Sequence, residues 1–449
     1  MLPKGSLRSV LQLAVLAIAT FVYVSPATAI PAFARKYSLR CTACHESWPV
    51  LNDFGRNFRD NGYQLRLGKD DTVTADPGYW PVAIHVTPSY EYTSVTNQQT
   101  DQGPKTIGSG GVQDSSIDLL TAGVLYKNIS FLVVPTGFAS DGNVHLESYW
   151  AYFSRVFANS DWFNVRVGQF EIDLPASAHR NLELTDSYLL YSYHPAIPQG
   201  QNNTGPPGGN TAGYDMGQNQ RGVEIVGHDK DSQTRYTVTV FSAYDSLGST
   251  NGLNSPSFYG HLQKYFRVNQ GPVSQAEVGF WGAVVNYPTQ FLTNNGSPIP
   301  GSGSHLQSST RYGMEANLWL GPLVAPLHLD AVYGHGSDKK DLFLGADRAG
   351  TFNGGFLEAI WVPPTDLLHW SVFARYDVIR NQNQPLIGAP SNYNNQDQWT
   401  LGMRYTIAYS IRDEVAFHAE VSSLKAKDVG FDGLDQRTDN IMFGVDFVY

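Results

Sequence analysis

Residues 276–285 read "AEVGFWGAVV", with Val278, Phe280, Gly282 and Val284 alternating against Glu277, Gly279, Trp281 and Ala283. Period-two alternation describes a strand with one face on something apolar and the other on something wet. The same pattern recurs in "FNVRVGQF" at 163–170, "YGMEANLWL" at 312–320 and "AFHAEV" at 416–421. About sixteen such segments follow Pro81, centred near residues 87, 121, 134, 150, 166, 225, 240, 262, 281, 314, 330, 358, 373, 402, 418 and 443.

The links between segments sharpen this reading. Short ones ("KN" at 127, "ANSD" at 158, "DKDSQ" at 229, "GPLV" at 321, "PPTD" at 363) alternate with long polar ones at 96–115, 172–220, 289–308, 336–353, 381–395 and 425–437. Only the short link at Ser140-Asp141-Gly142 breaks the rule. Long loops on one side and short turns on the other are the plan of a bacterial outer-membrane barrel with an even strand number. The chain ends "NIMFGVDFVY", and a terminal aromatic on an alternating strand resembles the sorting signal of such proteins. The expected fold is therefore all-β: an antiparallel barrel of about sixteen strands, wide enough for an aqueous lumen. A soluble sandwich, propeller or β-helix would have polar outward faces and no such loop rule.

Working outward to the N-terminus, Lys4 and Arg8 precede an apolar run from Val10 to Val24, followed by Pro26 and Ala27-Thr28-Ala29. This order is that of a secretory signal peptide over residues 1–29, with the mature chain starting at Ile30. The run is short for a membrane-spanning helix. Without it the chain has 28 Lys and Arg against 40 Asp and Glu, a net charge of −12. Scattered cations on an acidic chain exclude a nucleic-acid partner, which needs them clustered. Charged residues make up only 16% of the chain and aromatics 13%, a poor composition for helices.

Between leader and barrel lies "SLRCTACHESWP", residues 38–49, which holds the only two cysteines. In C-x-x-C-H, two thiols can add to the two vinyl groups of haem while the histidine beside them reaches the iron. Attachment takes place outside the cytoplasm, where the leader sends the chain. A Cys41–Cys44 disulfide would close a very small ring. Structural zinc needs four ligands and finds no second cysteine pair, and a thioredoxin-type motif needs a βαβ setting. One c-type haem is the expectation, bound through Cys41 and Cys44 with His45 as proximal ligand. Trp48, Leu51, Phe54 and Phe58 then recur at helical spacing, and Asn61-Gly62 supplies a helix stop. Residues 30–76 form a small α-helical haem segment, too short for a core of its own and expected at the periplasmic mouth of the barrel, which spans 77–449.

The stretch "PAFARKYSLRCTACHESWPVLNDFGRNFRDNGYQL", residues 31–65, ahead of a porin-like body resembles the fused monohaem cytochrome–porin family. The likeness is carried by Phe33-Ala34-Arg35, Cys41, Cys44, His45, Pro49, Leu51, Phe54-Gly55-Arg56, Phe58 and Gly62-Tyr63, and beyond residue 66 it is architectural only. Studied members are outer-membrane iron(II) oxidases. The resemblance implies electron transfer across the outer membrane, with extracellular Fe(II) or another redox donor or acceptor outside and a periplasmic cytochrome c inside. An iron(II):cytochrome c oxidoreductase is the enzyme this describes. An outward conduit and a diffusion porin with a haem-bearing plug are the alternatives.

No His or Met lies between Glu46 and Pro81, so a sixth haem ligand must come from the barrel or from Tyr63 or Lys69. His85, early on the first strand and facing the lumen by parity, is the leading candidate. Met216, Met314, Met403 and Met442 are the axial methionines on offer. Face counting also sends Glu147, Glu224, Glu277, Glu315, Asp330, Glu358, Asp377 and Glu420 inward, with His145, His328, His369 and His418. Acids and imidazoles suit a first-row cation, but porin lumens are polar whatever they carry. The link 172–220, rich in Gly, Asn and Pro, reads by default as a flexible surface loop, with folding into the pore or capping it as the other options.

Overall fold

The computed structural model describes residues 32–75, 81–113, 117–137, 144–157, 159–184, 188–195, 215–242, 256–288, 306–321, 326–343, 346–362, 370–386, 388–409 and 414–448, with short pieces at 293–294 and 297–298. The leader expected over 1–29 lies outside these residues. From Val82 onward the chain is a closed antiparallel barrel of sixteen strands.

Strand β1 runs as Val82–Val86 and Ser89–Thr100, and β2 as Gly103–Gln113 and Ile117–Tyr126. The next four are β3 (Ile129–Gly137), β4 (Val144–Phe153), β5 (Asn164–Phe170) and β6 (Gln220–His228). Strands β7 (Thr234–Ser242), β8 (Ser257–Gln270), β9 (Val273–Pro288) and β10 (Leu306–Leu320) follow. The last six are β11 (Leu327–Asp338), β12 (Gly350–Trp361), β13 (Trp370–Asn383), β14 (Gln396–Tyr409), β15 (Glu414–Ala426) and β16 (Gln436–Val448). Each strand pairs with its neighbours in sequence, and β16 closes the ring on β1, with Ile441 opposite Tyr92 and Phe447 opposite Val86. Fifteen of the sixteen expected centres fall on strands, and residue 87 falls in the two-residue break within β1.

The faces are inverted relative to a soluble protein. In β9, Phe280 is 61% exposed while Glu277 is 2% exposed. Tyr312 and Met314 point outward in β10, whereas Glu315 and Asn317 are buried. An exposed apolar face around a closed ring satisfies every ladder hydrogen bond internally and suits hydrocarbon outside.

One link is corrected. The link 96–115 is not a long loop: over its described residues 96–113, β1 and β2 continue and turn at Asp101-Gln102. The ladder there pairs Val95 with Ile107 and Thr93 with Ser109. Residues 103–113 are mostly exposed, so the polar sequence reflects a hairpin wet on both sides.

A second correction concerns 172–220. Its described parts fold into the lumen, not over the surface, and include a helical turn at Leu189–Ser192. Ile172, Leu174, Tyr188, Leu190, Tyr191 and Met216 make an apolar core with Trp281, Val332, Phe352 and Phe356 of the wall. Polar anchors surround that core. Glu183 pairs with Arg375, the Tyr188 hydroxyl donates to Glu358 at 2.7 Å, and Leu189 N–H donates to Asp377 at 3.2 Å.

The N-terminal segment fills the other half of the lumen, at the short-turn end. It holds helices α1 (Ala32–Tyr37), α2 (Cys41–Cys44) and α3 (Asp53–Asp60) and a small ladder joining His45–Ser47 to Val50–Leu51. Trp48 and Leu51 therefore precede α3 and do not share its stripe. The Asn52 side chain caps α3 by accepting from Gly55 N–H at 2.9 Å. At the far end Gly62 has φ +66°, the left-handed stop expected there. Contacts to the wall cluster at the short turns. Asn57 donates to the Lys230 carbonyl at 3.1 Å, Trp319 Nε1 to Glu46 at 2.9 Å, and Val73 N–H to the Val124 carbonyl at 2.9 Å.

Candidate functional site

The single turn of α2 places Cys41 and Cys44 three residues apart on one side of the helix, with His45 extended just after it. Both cysteines are free and half-buried. Burial pushes each thiol up to about 11, with Glu414 adding to the effect at Cys41. They are therefore protonated thiols at neutral pH.

His45 Nδ1 lies 3.0 Å from the Pro49 carbonyl oxygen. A carbonyl only accepts, so Nδ1 carries the proton and Nε2 keeps its lone pair. Burial brings the His45 pKa down to about 4, so the imidazole is neutral at pH 7. A histidine whose outer nitrogen is held by a backbone carbonyl is oriented as metal-ligating histidines are. Trp48 packs on the ring at 4.7 Å between centroids. The glycine of "FGR" also has a role, because a Cβ at Gly55 would collide with the Cys44 carbonyl. α3 approaches the cysteine turn that closely only with glycine there.

Cys44, His45, Trp48, Gly55, Phe58 and Tyr63 form one side of a lumen cavity of about 470 Å³. The wall contributes His85, Leu120, Leu132, Trp150, Phe170, Arg404 and His418, and the infolded loop contributes residues 178–184. This size lies within the range of cofactor sites. Apolar and aromatic groups dominate the segment's side, where Tyr63 stacks between Phe33 (4.8 Å) and Trp150 (5.5 Å). An oriented histidine, two free thiols on one turn and a cavity of this size beside them fit a covalently held haem. Such a group would be held by Cys41 and Cys44, with His45 Nε2 on the iron.

His85 lines the same cavity, but both its nitrogens are engaged, with Asp118 at 3.3 Å and Asp446 at 3.0 Å. Ligation would require it to leave one of these carboxylates. Met314 faces outward, Met403 shares the outward parity of the exposed Leu401, and Met216 is packed in the loop core. Met442 is buried and Lys69 exposed, and neither lines the cavity. His179, on the link read as a surface loop, lines it and had no signal in the sequence.

The expected inward acids are inward: Glu224, Glu277, Glu315, Glu358, Asp377 and Glu420 are buried, as are His328 and His418. Asp330 and Glu147 are half-buried, His145 is exposed near the long-loop end, and His369 lies outside the described residues. A second cavity of about 130 Å³ is lined by Glu277, Asn317, His328, Asp330 and Glu358. Among the described residues no three metal-ligating side chains converge on one point.

No protein-family profile and no curated protein matches the chain. Solved structures do. OprB of Pseudomonas putida aligns over 90% of this chain and 99% of its own, with 10% identity and a TM-score of 0.50. The anion-selective porin of Comamonas acidovorans aligns over 82% of this chain and 99% of its own, at 13% identity and a TM-score of 0.49. At these identities the likeness is one of fold. A closed barrel of that fold, apolar outside and polar inside, is a protein of the bacterial outer membrane.

Proposed function

We propose that this barrel carries electrons across the outer membrane through one haem c bound by Cys41, Cys44 and His45. The observation that carries this reading is His45, its Nδ1 tied to the Pro49 carbonyl, lining a lumen cavity of about 470 Å³ between two free cysteines' turn and the infolded loop. The haem, when bound, supplies the one-electron couple. The chain's own residues attach it, set the ligand field through His45 and keep bulk water from it with α3, Trp150 and the loop.

The donor outside is Fe(II), which becomes Fe(III) as it gives one electron to the oxidised protein. A periplasmic cytochrome c takes that electron up at the short-turn end and becomes reduced. The segment's position among the short turns, the periplasmic side of such barrels, supports an exit there. No acid, base or nucleophile is needed. The opposite current, to an external acceptor, would use the same residues.

A second reading, a diffusion porin with a haem-bearing plug, is favoured by the porin fold. Against it stands the packing of loop and segment on opposite halves of the lumen. Anaerobic mixing of the oxidised, purified protein with Fe(II), followed by haem absorbance, tests the proposal. Fast reduction supports it. No reduction by Fe(II) while dithionite reduces the protein fully would contradict Fe(II) as donor.

A further inference from the structure

We infer that His179 is the second axial ligand of the group held by Cys41, Cys44 and His45, an assignment that rests on the haem reading above. Three histidines besides His45 line the cavity, and their surroundings differ. His85 is held at both nitrogens by carboxylates, and His418 Nε2 lies 3.1 Å from Glu420. His179 stands apart. Its Nδ1 is 3.6 Å from Glu147 Oε1, outside hydrogen-bond reach, and its side chain is 33% exposed to the lumen against 1% for His418. An imidazole that lines the cavity with no short hydrogen bond to surrender is the one freest to ligate a metal there.

The backbone at His179 is held by a buried charge. Glu171 is 5% exposed, and its carboxylate accepts from Ala178 N–H at 2.6 Å, His179 N–H at 3.2 Å and the Ser177 hydroxyl at 2.7 Å. Arg180 closes the arrangement with an ion pair at 2.9 Å. Four consecutive residues, 177–180, are thus wrapped around one carboxylate, which fixes where the imidazole starts. That is a costly way to position a loop with no ligand to present.

The test uses full-length protein in detergent. Haem staining and pyridine haemochrome first establish covalent haem, and wild-type protein without it would overturn both this assignment and the haem reading. Given haem, the oxidised wild type should show a low-spin, bis-imidazole absorption and EPR signature. His179→Ala should lose that signal entirely in favour of high-spin haem, and added imidazole should restore it. His179→Met, which also serves if the alanine variant does not fold, should show a sulfur-to-iron charge-transfer band absent from wild type. A low-spin spectrum unchanged in either folded variant would overturn the assignment while leaving the haem in place. A high-spin wild type would do the same.

Discussion

Phe280 in the wall is 61% exposed, and Phe58 in the lumen segment is 6% exposed. The same side chain is used in opposite ways because the two regions face different solvents. The wall turns its apolar residues to lipid and closes its hydrogen bonds in a ring, so it needs no core. The filling is an ordinary small protein too short to bury itself. It borrows Trp150, Tyr152 and Leu132 from the wall for its apolar contacts with Tyr63. The wall should survive losing the filling, whereas the filling should not survive losing the wall.

The strongest break in that asymmetry concerns the cysteines. Replacing Cys41 and Cys44 by serine should abolish covalent haem while the barrel keeps its heat-modifiable migration on gels. Haem that stayed attached, or a barrel that failed to assemble, would refute the account of both regions.

Next in size is the buried charge that docks α3. Asp60 pairs with Arg235 at 3.0 Å and Arg59 at 3.1 Å. Burial alone would raise its pKa, but the two guanidiniums outweigh this and hold it below the usual range. Asp60→Ala leaves Arg235 short of a partner and should weaken docking by about 3–5 kcal/mol. It would be read as faster proteolysis of residues 32–75 in the assembled protein. The pH dependence has a definite sign. With the folded pKa below the unfolded ~3.9, the contribution is complete above pH ~4 and fades only as pH falls through the lower folded value. The wild-type segment should thus resist protease unchanged from pH 5 to 8 and loosen in stronger acid. Loosening on the alkaline side would point to another group.

On the wall, Phe280→Arg should cost about 2–4 kcal/mol in equilibrium folding into bilayers, the penalty for a cation facing hydrocarbon. No cost would mean that this face meets water. Smallest is Lys105→Ala at the exposed hairpin tip, expected to shift stability by less than about 0.5 kcal/mol.

The wall was legible because its signal is local: each strand announces itself by alternation within ten residues, and Glu277, Trp281, Phe280 and Glu315 all face as their parity requires. A strand with no preferred face carries no such signal. Residues 103–113 are wet on both sides, so Gly, Ser and Thr there suggested a loop. The filling was legible only in part. The Cys41-Cys44-His45 spacing and the Asn61-Gly62 stop are local chemistry and could be read. Glu183 with Arg375, or Asp60 with Arg235, joins residues more than 170 positions apart. Nothing in a Gly- and Asn-rich link signals that its partners lie across a lumen, and His179 was hidden for that reason.

The most direct measurement places the protein in liposomes that enclose both oxidised cytochrome c and a small fluorescent solute, with Fe(II) added outside under anaerobic conditions. The account predicts reduction of the enclosed cytochrome while the solute stays inside. Escape of the solute without reduction of the cytochrome would contradict it and leave an open porin.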